Sequence, residues 1–139
     1  MDRALIERKL ELLRGHVARV RSRRPADAQQ LAGDVDLQDI IVLNLSRAVQ
    51  ACVDIGAHLL VDTPQSPPST MGDTFTRLAA TGLIDADLAQ RLRRAVGFRN
   101  LAVHAYEAID WAQVYILAGE PLRDFEDFAR SIAQAIDTP

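Results

Sequence analysis

"DVDLQDIIVLNLSRAVQACVDIGAHLLV", residues 34–61, decides the fold. Leu37, Ile41, Leu45, Ala48, Cys52, Ile55 and Leu59 recur at spacings of three and four, which places them on one face of a helix. Asp34 or Asp36 can cap its start by accepting from the free amides of the first turn. At about 1.5 Å per residue, such a helix is roughly 40 Å long. Asn44, Arg47, Asp54 and His58 fall on another stripe. A long helix with two distinct faces can pack internally on one and meet a partner on the other.

The flanking segments repeat the helical pattern and never alternate as strands do. Upstream, Ile6, Leu10, Leu13, Val17 and Val20 predict a helix from about Asp2 to Ser22, and "RSRRPADAQQ" (21–30) breaks it at Pro25. Downstream, "DTPQSPPST" (62–70) holds three prolines and is a loop. Asp73 and Gly82 read as the cap and the stop of a short helix, and Asp85 as the cap of the next. That next helix carries Leu88, Leu92 and Val96 into "GFRNLAVHAY" (97–106). "IDWAQVYILAG" (109–119) reads as another short helix. Pro121 opens a last one through about Ile136, with Phe125, Phe128, Ile132 and Ile136 on its inner face. The expectation is all-α: a bundle of four main helices plus short additional helices, in one domain over residues 1–139.

Composition narrows the function classes. With 139 residues, 48% apolar and 25% charged, the chain has the profile of one soluble domain. No uninterrupted apolar run approaches the roughly 20 residues that span a bilayer. "MDRALIERKLELLRG" is charged throughout and lacks an apolar signal core. The single Cys52 has no partner for an internal disulfide and no zinc-ligand spacing around it. A cytoplasmic location and no membrane partner are therefore expected. The net charge of −3 argues against a globally basic nucleic-acid binder. Lys9 is the only lysine, so the other cations are all arginine, whose planar fork suits phosphate; a GC-rich genome produces the same bias.

"GFRNLAVHAY" concentrates the chemistry. Arg99 follows Leu92, Ala95 and Val96 at spacings of seven, four and three, so it extends a packed stripe and needs a partner for its charge. Asp54 on the long helix is a candidate supporting partner for that guanidinium. His104 lies five positions after Arg99, about 140° around an ideal helix. Within one unbroken helix the two diverge. They converge if the helix ends near Asn100, or if two chains share the site. An imidazole can exchange a proton at neutral pH, and a guanidinium can stabilise charge on a phosphoryl transition state. Asn100 can orient either, and nothing in this set requires a metal. The plain alternative is a helix end, where Arg and His favour the dipole and Asn terminates the helix.

Other polar groups read more simply. Asp54 and His58, one turn apart, suit a surface or interface pair. His16 reads as solvated, and Arg19, Arg21, Arg23 and Arg24 as an exposed helix end. Arg91, Arg93 and Arg94 read as a solvated face that can also touch a phosphate backbone. Trp111 and Tyr115 read as core.

"RNLAVHAY" (99–106) resembles the Arg-x4-His-x-Tyr pattern of the HepT-type toxins of the HEPN superfamily. "DIGAHLL" (54–60), the proline loop and "DTFTRLAATGLID" (73–85) look like further landmarks of that family, in order; the first 35 residues resemble it least. The resemblance implies a HEPN helical bundle paired as a homodimer, and metal-independent endoribonuclease action on cellular RNA with no cofactor. It makes Arg99 and His104 the catalytic pair, with Asn100 supporting. It makes Tyr106 the tyrosine to which an MntA-type minimal nucleotidyltransferase antitoxin attaches AMP. The alternative is a helical adaptor that binds a nucleotidyltransferase or a nucleotide without cutting RNA.

Overall fold

The computed structural model describes residues 1–137; the expected domain's last two positions, 138 and 139, lie outside that range. The described residues form α1 (Arg3–Arg23), α2 (Ala28–Ala32), α3 (Val35–Leu60), α4 (Met71–Ala80) and α5 (Ala86–His104). A 3-10 turn (Tyr106–Ala108), α6 (Trp111–Leu117) and α7 (Leu122–Asp137) follow, and no strand occurs among them. The four main helices are α1, α3, α5 and α7, as the periodicities predict.

Side-chain caps set the starts. Asp2, Asp34, Asp85 and Asp110 each accept a first-turn amide, of Leu5, Leu37, Leu88 and Ala112 respectively. Two starts differ from expectation. α4 begins earlier, because the Thr70 hydroxyl, not Asp73, accepts from the Asp73 amide. Asp73 instead sits in the first turn, where the Ser69 amide and then Arg77 hold its carboxyl below the usual range. The short α2 was not anticipated: Asp27 accepts from the Gln30 amide and starts a helix two residues after Pro25.

α3 is the central element and packs against α1, α4, α5 and α7. Its stripe of Ile41, Leu45, Ala48, Cys52, Ile55 and Leu59 is buried. α3 is long and apolar enough to cross a membrane by length and composition alone, but most of its apolar window is covered by the rest of the bundle. At Gly56, α4 comes so close that a Cβ would lie 2.6 Å from Thr74 Cγ2 and 2.9 Å from Leu78 Cδ1. Below that crossing, Phe75 of α4 meets Phe128 of α7 edge to face, with centroids 6.1 Å apart. Arg3 ties the two ends of the chain together, donating to the Ile136 carbonyl at 3.0 Å and pairing with Asp137.

The region after α1 is pinned rather than free. Arg24 lies 3.8 Å from the centroid of the Tyr115 ring and donates to the Tyr115 carbonyl, so it is not simply an exposed helix end. The Tyr115 hydroxyl donates to the Pro25 and Ala26 carbonyls. Tyr115 thereby clips α6 onto the turn that leads into α2.

Candidate functional site

α5 positions the site, because its inner face is fixed by Leu88, Leu92 and Val96 in the core. The helix does not end at Asn100. It runs unbroken to His104 and stops where Ala105 leaves helical geometry, at φ −149° and ψ 53°. Arg99 and His104 therefore stand on one continuous helix, about 140° apart around its axis. Of the two arrangements that would let them converge, a break inside the chain is removed.

Arg99 is half-buried, and its Nη1 donates to Asn100 Oδ1 at 3.3 Å. No carboxylate neutralises it among the described residues. His104 is exposed and makes no hydrogen bond or ion pair there. Two apolar side chains flank it on the surface, Leu101 at 37% and Val103 at 53% exposure. The end of α5 thus offers a free imidazole, an unneutralised guanidinium and uncovered apolar surface together.

Tyr106 opens the 3-10 turn beyond that end. Its hydroxyl donates to Asp39 Oδ1 of α3 at 2.7 Å, and its ring meets Trp111 at an edge-on angle with centroids 5.8 Å apart. Burial first, and then the Asp39 carboxylate, pushes the phenol up to about 12. Trp111 packs against the core, as expected, and also on the site tyrosine. Sequence reasoning missed Asp39: it stands 67 residues from Tyr106 and carries no local signal.

The other polar candidates are sorted by their partners. Asp54 does not reach Arg99. It accepts from Gln50 Nε2 at 2.9 Å and lies 3.8 Å from Lys9, because its side of α3 faces α1 rather than α5. His16 is half-buried rather than freely solvated: its Nδ1 lies 3.2 Å from Asn44 Oδ1, in the seam between α1 and α3. Asn44, expected on an outer stripe, is buried and also donates to the Ile40 carbonyl. Of the arginines before the motif, Arg91 pairs with Asp124 at 2.8 Å and Arg93 donates to Thr76. Arg94 is exposed and has no such partner among the described residues.

Comparison with known proteins places the chain in a family. Residues 6–132 match the model of a family described as ribonuclease HepT-like. The chain is 38% identical over 102 residues to the mRNA nuclease HepT of Shewanella oneidensis, covering 73% of this chain and 77% of that protein. It is 24% identical over 132 residues to the tRNA nuclease HepT of Aphanizomenon flos-aquae, covering 95% and 90%. The fold matches the solved structure of the tri-AMPylated Shewanella oneidensis HEPN toxin in complex with its MNT antitoxin. That match has a TM-score of 0.88 and 33% identity over 96% of this chain and 99% of that one. With a family match over nearly its whole length and an all-helical HEPN-like fold, the chain belongs to the HepT-like ribonuclease family.

Proposed function

We propose that this chain is the toxin of a cytoplasmic toxin–antitoxin pair, an endoribonuclease that cuts RNA without a metal and is neutralised when an MntA-type nucleotidyltransferase attaches AMP to Tyr106. One observation carries the reading: an exposed His104 with no partner among the described residues, at the end of α5, five residues after Arg99 and two before Tyr106.

In this scheme His104 takes the proton from an RNA 2′-hydroxyl as that oxygen attacks the adjacent phosphate, and returns a proton to the leaving 5′-oxygen. Arg99 stabilises the charge that builds on the phosphorane-like transition state. Asn100, which accepts from Arg99, keeps the guanidinium oriented. The product carries a cyclic phosphate. The continuous helix separates Arg99 from His104 within a chain, so two copies form the site, Arg99 of one facing His104 of the other. Leu101 and Val103 supply apolar surface for that contact. An AMP on Tyr106 places a bulky anion two residues from His104, where it blocks the cleft and repels RNA phosphates.

The test is an RNA cleavage assay with excess chelator. Wild type cuts RNA and leaves DNA of the same sequence intact, while His104→Ala and Arg99→Ala do not cut. Full activity of His104→Ala, or equal cleavage of DNA, ends the proposal. If chelator abolishes cleavage, the metal-free part fails alone.

A further inference from the structure

The contact between Tyr106 and Asp39 is tertiary, short and specific. The hydroxyl of one element donates at 2.7 Å to a carboxylate of another, and Asp39 has no other hydrogen-bond or ion-pair partner among the described residues. Both side chains are exposed enough to be reached from outside. The Trp111 ring holds the tyrosine on its other side. A surface tyrosine needs no such arrangement to be stable, and an exposed hydrogen bond of this kind contributes little to folding.

From this juxtaposition we infer that Asp39 accepts the phenolic proton of Tyr106 when that hydroxyl is nucleotidylated. The inference rests on the reading of Tyr106 as the modified residue. Tyr106 Oη attacks the α-phosphorus of an ATP held with magnesium by the partner nucleotidyltransferase. The new bond joins Oη to that phosphorus. The bond from the α-phosphorus to the bridging oxygen breaks, and pyrophosphate leaves with the electron pair. The proton passes along the existing hydrogen bond to Asp39 Oδ1. The geometry makes this acceptor useful, because the phenol stays protonated at neutral pH and cannot attack as a preformed phenolate.

The same contact also sets the direction of the change. Once AMP is attached, Oη has no hydrogen to donate, and the new phosphodiester is an anion beside a carboxylate. The interaction that held the substrate repels the product. Tyr106 then turns away from α3.

The experiment uses the full chain, the MntA-type nucleotidyltransferase from its own operon, ATP and magnesium. AMP incorporation at Tyr106 is followed by intact mass and peptide mapping. Asp39→Asn keeps an oxygen that accepts the hydrogen bond but takes up no proton. It is expected to lower the initial rate at pH 7 by about 10²-fold, with melting temperature unchanged. The ratio of wild-type to Asp39→Asn rates should shrink towards pH 9, as hydroxide generates phenolate. Asp39→Glu should recover part of the rate. An Asp39→Asn rate equal to wild type overturns the proton-acceptor role while leaving Tyr106 as the target. A rate lost only in Asp39→Ala also overturns it, since a bare hydrogen-bond acceptor is then sufficient. If wild type gains no AMP at Tyr106, the reading of Tyr106 fails and this inference fails with it.

Discussion

The middle of α3 and the end of α5 are built on opposite terms. In α3, polar groups that enter the core are answered locally: Gln38 donates to the Leu31 and Ala32 carbonyls, and Asn44 meets Ile40 and His16. No buried side-chain nitrogen or oxygen is left unpartnered among the described residues. At the end of α5, among the described residues, Arg99 has only a neighbouring amide and His104 has no partner, and Leu101 and Val103 face outward. The first region is satisfied within one chain; the second leaves reactive and apolar groups facing outward. The histidines make the same point: His16 is tied into a seam, whereas His104 is exposed and has no partner among the described residues.

This contrast can be broken from either side. The largest expected effect is on chemistry: His104→Ala lowers kcat/KM for RNA cleavage by about 10²- to 10⁴-fold, without shifting the urea midpoint. If two copies share the site, inactive Arg99→Ala and inactive His104→Ala regain activity when mixed. Random pairing restores about a quarter of the wild-type rate, because half the dimers carry one intact site of two. No recovery at any mixing ratio means that each chain builds its own site.

Core substitutions should do the reverse. Phe75→Ala removes a fully buried ring from the contact with Phe128 and costs about 3–5 kcal/mol in urea unfolding. Gly56→Ala drives a methyl against Thr74 and Leu78 and costs about 1–3 kcal/mol by the same measurement. Loss of cleavage in protein that remains folded would show that the α3–α4 crossing reaches the site.

The smallest effect is a titration. Tyr106 loses its proton near pH 12 in the folded chain, against an ordinary value of 10.0. A raised phenol value favours the protonated, folded form. Its contribution to stability is therefore whole below about pH 10 and fades as pH rises towards 12. Ultraviolet difference titration of wild type against Tyr106→Phe should show the late-titrating phenol. A Tyr106 signal centred at 10 removes the structural link to Asp39.

Much of this was legible before any coordinates. Spacings of three and four identified the stripes of α1, α3, α5 and α7, because burying an apolar face dictates that period. Asp34 and Asp85 were readable as caps, since a short acceptor before an apolar-periodic run satisfies free amides. Thr70 was hidden by the acid three residues later, and Asp27 by the proline before it. In the site, Arg99, Asn100, His104 and Tyr106 stood within eight positions and carried the resemblance. The Asp54 pairing failed because a spacing gives the face of a helix, not which neighbour that face meets.

By itself, then, the sequence determined the four main helices, their buried faces and the local cluster of reactive side chains, all set by interactions a few residues long. The tertiary structure alone decided two things: that Asp54 turns towards Lys9, and that Asp39 receives the Tyr106 hydroxyl. Each depends on how helices distant in the chain are set against one another, and no local pattern of residues encodes that.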